Sequence, residues 1–350
     1  MLAPDYQPGP WAEQWNQEII DDFFDTTVRR KLERPDITRA TCIGLAREIL
    51  GTEEIEPARI QGVCSFTLIS RSKGKVVQFR RHALDDDMLS LASSIYGGLT
   101  PRLSRYTFED GNDFPIPTYI ANVAPGVHMM CLPQPPFPVD KLCRTVSDLA
   151  DFFAKPVQVS DQRQSARHPD GYAAPAAKRL DSVLEHPAFK RNATTATMDF
   201  VKHVREHVHL IDSLPLVLTH TDVIPMNMFA NPDDGSITSV IDWDHACIDI
   251  FGKSMWSLYE GFVTYTIDDV THVQEQRDVI ENVFWTRLWE SVKPRLTPEV
   301  DGPAVRASMA VGAIARYLRF RTLDEIGDND DVASSFWRTK AFLPLLPRIT

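Results

Sequence analysis

A chain of 350 residues with 43% apolar and 24% charged side chains has the composition of an ordinary soluble globular protein and is long enough for two lobes with sizeable cores. Its net charge of -11 and sequence pI near 5.4 argue against nucleic acid or an anionic membrane surface as the main partner, and an anionic cofactor would need a local basic pocket or a metal ion. Five scattered cysteines without a CxxC pair read as reduced thiols, and neither a signal-peptide pattern nor a run of about 18 apolar residues is present, so a cytoplasmic protein is expected.

Residues 1–10 are Pro-rich and polar and read as a frayed arm. Trp11, Trp15, Ile19 and Phe23 then recur at helical spacing, predicting an amphipathic helix that packs on the body. A second helix is expected from about Ile37 to Leu50, with Thr38 or Thr41 as its cap and Gly51 as its stop. The segment RIQGVCSFTLISRSKGKVVQFR, residues 59–80, reads as two strands joined at Ser72-Lys73-Gly74. Most such hairpins are surface turns. The functional alternative is a phosphate cover, because Gly62 and Ser65 let backbone N–H groups approach an anion and the second strand ends in the cation Arg80.

A helix from Leu84 to Tyr96 follows, with Asp85, Asp86 and Asp87 in its first turn. Acids there complement the helix dipole; the functional alternative is that one of them turns inward to pair with Arg80. Gly97 and Gly98 end that helix, and Phe114 to Val123 is a strand-like run before a turn at Pro125-Gly126 that suits a connector. Beyond it, Val139 to Ala154 reads as a helix, Gln158 to Pro175 as a loop, and His186-Pro187 as a break. Ala193 to His209 is helical again. Its His203, His207 and His209 place i and i+4 histidines on one face, but no companion acid or fourth ligand is visible and no zinc is assigned. Helical patterns at Val273 to Trp289 and Ala304 to Arg321 complete the chain.

The stretch LVLTHTDVIPMNMFANPDDGSITSVIDW, Leu216 to Trp243, concentrates the chemistry. An apolar run stops at a loop carrying His220, Asp222 and Asn227, and a hairpin turning at Asn231-Pro232-Asp233-Asp234-Gly235-Ser236 then delivers Asp242. Phosphoryl transfer from ATP needs positioning, a metal ion to neutralise phosphate charge, and a carboxylate near the acceptor hydroxyl. Magnesium takes hard oxygen ligands, which Asn227 and Asp242 supply. Asp222 is left to orient or deprotonate the acceptor, and His220 is read as bracing the loop by hydrogen bonding.

The spacing His220-x-Asp222-x4-Asn227, the hairpin, and Ile241-Asp242-Trp243-Asp244 together resemble the catalytic loop and metal-binding segment of the aminoglycoside phosphotransferase-like family. The segments ATCIGLAREILG, RIQGVCSFTLIS, KVVQFR, LASSIYGGL and FGKSMWSLYEGF resemble its fungal branch, in family order, over roughly Ile37 to Phe262. This resemblance implies an α+β, two-lobed protein-kinase-like fold. The expected division is an N-terminal arm and helix (1–36), a β-rich nucleotide-binding lobe (37–123) and a mainly helical catalytic lobe (124–350). It further implies that Gly62 to Thr67, with Ser65 between them, cover the phosphates of ATP, and that Arg80 is the strand cation with Asp87 as its helix partner. The sequence departs from the family pattern in carrying Arg80 where lysine is common, Asp87 where glutamate is common, and Asn122 at the hinge where an acid is often found. The leading expectation is an ATP- and magnesium-dependent kinase acting on a hydroxyl of a small molecule. The alternatives are a kinase-fold protein that binds or scaffolds without transferring phosphate, and a fold turned to another reaction on a pathway intermediate.

Overall fold

The structure is a computed structural model and describes residues 11–109, 111, 113–132, 138–159, 171–265, 270–318 and 342–349, with only the backbone described for 11, 263–265 and 270–273. The expected arm at residues 1–10, most of the expected loop at 158–175 and the end of the last expected helix lie outside the described residues. The chain divides into two compact units. One comprises 1–137, 228–233 and 237–244, the other 138–227, 234–236 and 245–350.

The first unit opens with α1 (Trp11–Asp22), which continues as a π-helical segment, Phe23–Lys31. Next comes α2 (Arg39–Leu50). Thr38 caps it by accepting from the Thr41 N–H, and Gly51 ends it in the left-handed conformation, φ 59°. The strands β1 (Glu56–Pro57), β2 (Ser65–Ser70), β3 (Lys75–Arg80), β4 (Ser104–Arg105) and β5 (Thr118–Asn122) form an antiparallel sheet in the order β1-β2-β3-β5-β4. Alternation buries Phe66 and Leu68 of β2 and Val77 and Phe79 of β3, which join Ile20, Phe23, Val28, Leu45 and Ala46 in one core. Phe66 and Phe79 stack with centroids 6.5 Å apart. Helix α3 (Asp86–Tyr96) is capped by the Asp85 carboxylate, which accepts from the Met88 N–H. Strand β6 (Val127–His128) leads the chain out of this part of the unit.

The second unit contains α4 (Val139–Val159), α5 (Ala173–Glu185), α6 (Pro187–Asn192) and α7 (Thr195–His207), then β7 (Leu216–Thr219). The expected end of α4 at Ala154 is too early. The helix carries Pro156 within its last turns, where burial of Phe152, Phe153 and Val157 outweighs the loss of one backbone hydrogen bond. The break at His186-Pro187 is present: His186 closes α5, and its Nδ1 accepts from the Ala188 N–H to start α6.

Strands β8 (Met228–Ala230) and β9 (Ile237–Val240) make the expected hairpin, in the register Met228↔Val240 and Phe229↔Ser239. With β6 they form a three-stranded sheet in the first unit. Gly126, at φ 90°, lies against the Ala230 carbonyl, a position that leaves no room for a side chain. In the second unit, β10 (Cys247–Ile250) pairs with β7, and α8 (Ser257–Glu260) follows. A backbone hairpin of β11 (Val263–Tyr265) and β12 (Val270–Val273) precedes α9 (Arg277–Val292) and α10 (Pro298–Tyr317). Phe153 of α4 meets Phe284 of α9 edge to face at 6.2 Å. Among the described residues, no helix is long and apolar enough to cross a membrane.

Candidate active site

In the first unit several of the candidate residues gather around Arg80. The β2–β3 register sets Ser65 opposite Arg80 and Thr67 opposite Gln78, so the expected phosphate-covering segment and the strand cation are neighbours by pairing alone. Gln61 holds the entry to that segment. Its side-chain amide donates to the Ala58 and Thr67 carbonyls, its Oε1 accepts from the Thr67 N–H at 2.9 Å, and its backbone carbonyl accepts from Trp15 Nε1. Gly62 and Val63 are left exposed, and the Ser65 and Thr67 hydroxyls lie 3.2 Å apart.

The Arg80 guanidinium is buried, with 3% of the side chain exposed, and it serves two carboxylates. Nη2 stands 3.2 Å from Asp242 Oδ1 and 3.1 Å from Asp244 Oδ2. Asp244 is as buried as Arg80, whereas the Asp242 side chain is 38% exposed. His82 Nε2 lies 2.9 Å from Asp244 as well. The Arg80 Nε is buried and has no hydrogen-bond partner among the described residues. The expected pairing of Arg80 with Asp87 is absent. Asp87 is exposed in the first turn of α3, where a negative charge is already favoured by the helix N-terminus, and Arg80 finds nearer carboxylates after β9.

Asp242 sits in the left-handed region at φ 63°, a conformation that costs a non-glycine residue on the order of 1–3 kcal/mol and gathers at functional positions. The next residue fixes it. Trp243 is buried, its Nε1 donates to the Val240 carbonyl at 2.9 Å, and its ring packs on Tyr96 at 5.1 Å. Asn122, at the expected hinge, accepts from Lys75 Nζ at 2.8 Å.

In the second unit, β7 delivers the loop of His220, Asp222 and Asn227, anchored by pairing with β10 at Thr219↔Cys247. His220 is buried, and its Nδ1 accepts from the Asp222 N–H at 3.2 Å, which closes the turn around the carboxylate. Thr221 donates to the His245 carbonyl at 3.4 Å. Asn227 directs Nδ2 back to the Asp222 carbonyl at 2.8 Å and to Asp222 Oδ2 at 3.3 Å. Both interactions use the amide nitrogen, so no described residue donates to Asn227 Oδ1, which stays free to act as a hard oxygen ligand.

Sequence reasoning missed the cation at this carboxylate. Arg316, in the last turn of α10, sets Nη2 2.9 Å from Asp222 Oδ1, and its guanidinium lies over the Trp256 ring, 5.6 Å from the centroid. Nothing local in the sequence pointed to it, because the pairing joins residues far apart in the chain. Asp244 and His82 were missed as well, although Asp244 stood in the same short motif as Asp242.

Residues 139–277, a span that includes Asp222, Asn227 and Asp242, match the model of a phosphotransferase enzyme family, APH. Comparison with curated proteins gave no match. Among solved structures, the GDP complex of an aminoglycoside 2'-phosphotransferase-IIIa mutant is similar with a TM-score of 0.58 at 14% identity, over 87% of this chain and 96% of that one. Macrolide 2'-phosphotransferase MphH from Brachybacterium faecium, as apoenzyme, gives 0.54 at 14% identity, over 85% and 97%. Choline kinase from Cryptosporidium parvum Iowa II gives 0.52 at 12% identity, over 87% and 94%. The fold is protein-kinase-like. It is α+β, with a β-rich N-terminal region and a helical C-terminal part, as the sequence led one to expect. At these identities the likeness is one of fold.

Proposed function

We propose that this protein transfers the terminal phosphoryl group of ATP to a hydroxyl of a small molecule, with magnesium as cofactor. The observation that carries the reading is the Asp222–Asn227 loop, in which both donors of the Asn227 amide are drawn to Asp222 and the amide oxygen is left over. Such a loop supplies a fixed carboxylate for the acceptor and one hard ligand for a metal. Asp242, part-exposed and held by a pinned Trp243, supplies the second. An amide oxygen and a carboxylate suit magnesium, which prefers oxygen donors and keeps several waters. Bound there, magnesium would neutralise charge on the phosphates.

The residues then have separate tasks. Asp222 orients the acceptor hydroxyl and takes its proton as the new oxygen–phosphorus bond forms and the bond from phosphorus to the bridging oxygen of ADP breaks. General-base assistance of this kind is worth on the order of 10²–10⁴ in rate. Arg316 and Asn227 hold the carboxylate, His220 holds its backbone, and the Arg80 guanidinium supplies positive charge on the phosphate side. Gly62, Ser65 and Thr67 cover the phosphates from the β2 side, and Asp87 is kept in this reading as an outer residue of the nucleotide site. The segments similar to the fungal branch support a secondary metabolite as acceptor, and the five free cysteines support a cytoplasmic location.

A second reading is favoured by the Arg80–Asp242 ion pair, which engages the metal carboxylate with a cation already in place. In that reading the protein binds a small molecule or nucleotide without transferring phosphate. Incubation with Mg-ATP and a metabolite extract, followed by mass spectrometry for phosphorylated products, separates the two. The kinase gives product that Asp222→Asn abolishes, and its melting temperature rises with Mg-ATP in the wild type but not in Asp242→Asn. A nucleotide-dependent rise without product supports the non-transferring reading; no rise at millimolar nucleotide overturns both nucleotide-dependent roles.

A further inference from the structure

We propose that His203, Glu206 and His207 on α7 form a binding site for a borderline divalent cation of the zinc, nickel or copper class, made of residues that phosphotransfer does not use. The companion acid missed in the sequence is Glu206, which the helix sets beside both imidazoles. Residues three and four apart share a helix face, and the ligand-capable atoms of these three side chains all lie within 4.8 Å of one another. The imidazole centroids of His203 and His207 are 4.4 Å apart, with the rings inclined at 48°. Two zinc–ligand bonds of about 2.0–2.1 Å in a tetrahedral arrangement place their ligand atoms roughly 3.4 Å apart. Side-chain torsions can close the remaining distance without moving the helix.

The state of each ligand points the same way. His207 Nδ1 lies 2.9 Å from the His203 carbonyl and donates to it, which fixes the tautomer and leaves Nε2 with a lone pair. Backbone carbonyls orient metal-bound imidazoles in the same manner. His203 Nε2 is buried and has no hydrogen-bond partner. The Glu206 carboxylate makes no hydrogen bond or ion pair among the described residues, whereas its neighbour Arg205 is committed to Asp181 at 2.6 and 3.0 Å. Two imidazole nitrogens and one carboxylate oxygen suit zinc, nickel or copper over magnesium or calcium. Three protein ligands leave a fourth position for water.

The test uses untagged full-length protein and zinc chloride in equilibrium dialysis, with cobalt as a spectroscopic substitute. One zinc ion per chain is expected, with a tetrahedral cobalt absorption band and a rise in melting temperature on zinc addition. His207→Ala and His203→Ala should each weaken zinc binding by on the order of tenfold or more, a scale reached even by outer-sphere substitutions at metal sites. His209→Ala should leave it unchanged, as Nδ1 of His209 is engaged by the Glu206 carbonyl. Asp242→Asn should also retain it, which separates this site from the magnesium ligands. Far-UV circular dichroism without metal confirms that the variants fold. Absence of stoichiometric binding, or equal affinity in the folded His203→Ala/His207→Ala double variant, overturns the proposal.

Discussion

Replacing Arg80 by methionine keeps most of the aliphatic stem and removes the charge, so it isolates what the guanidinium does for Asp242 and Asp244. The larger part of the effect comes from Asp244, whose side chain is 3% exposed and 3.1 Å from Nη2. Breaking a buried pair from one side costs about 3–5 kcal/mol, because the remaining charge is left desolvated. His82, 2.9 Å from Asp244, provides a second partner and puts the expectation near the lower bound, roughly 3 kcal/mol. The Asp242 contact adds little, on the order of 0–1 kcal/mol, since that carboxylate is solvated. Urea unfolding followed by tryptophan fluorescence, with Trp15 and Trp243 reporting on the same unit, should show the midpoint falling at unchanged slope. Arg80→Met/Asp244→Asn should lose less than the sum of the single substitutions, with a coupling of about 1–3 kcal/mol. A loss under about 1 kcal/mol together with no coupling would refute the account of a guanidinium neutralising a buried carboxylate.

Three further outcomes follow from the geometry. Arg316→Ala removes the ion pair on Asp222 Oδ1 and should lower kcat on the order of 10- to 100-fold, the cost of a misplaced reacting group, while the nucleotide-dependent melting shift is retained and Arg316→Lys recovers part of the rate. Gly312→Ala should destabilise the second unit by about 1–3 kcal/mol in urea, because a Cβ there would overlap the Lys253 carbonyl oxygen on which α10 packs. Burial pushes the Cys42 thiol up from 9.0 to about 12. The stability this confers is therefore complete below pH 9, where folded and unfolded chains are both protonated, and is lost as pH rises toward 12, since the unfolded chain gives up its proton first. Between neutral pH and pH 10 the unfolding free energy of wild type should fall by about 1.4 kcal/mol more than that of Cys42→Ala, as measured by urea titration.

The elements that proved legible are those whose signals are local. Thr38 before an apolar run, Gly51 after it, the Ser72-Lys73-Gly74 turn and the hairpin around Asn231 to Ser236 each encode a conformation in two to six adjacent residues, and each stands as read. What local patterns lacked was the destination of charges. Asp87 and Asp242 are both acids at the ends of elements, yet Arg80 selects Asp242 and Asp244, a choice made by chain segments brought together in folding. The pairing of β7 with β10 and the reach of Arg316 to Asp222 are invisible for the same reason. The end of α4 was set by packing in the same way: Pro156, a residue that usually ends a helix, is carried within it by the apolar face on which it sits.

The Arg80 pair at first favours a protein that does not transfer phosphate, yet its two halves are unequal. One guanidinium nitrogen serves two carboxylates, and the buried one, Asp244, holds it more strongly than the part-exposed one, Asp242. In a medium that water reaches, an ion pair is worth about 0–1 kcal/mol, so Asp242 can exchange its contact with Arg80 for a divalent cation at small cost while Arg80 stays on Asp244. Lysine, with a compact charge on a flexible stem, has no fixed planar geometry with which to stay on Asp244. Arginine has that geometry: Nη2 faces the acids, and Nε is buried without a hydrogen-bond partner among the described residues. On the proposed function, arginine at position 80 is therefore compatible with a metal at Asp242, provided that Asp244 accompanies it. The discriminating variant is Asp244→Asn in the wild-type background: it should leave Asp242 as the only charged acid of the pair on Arg80 and weaken the magnesium-dependent part of nucleotide binding, whereas unchanged magnesium dependence would show that Asp244 does not share the Arg80 charge in this way.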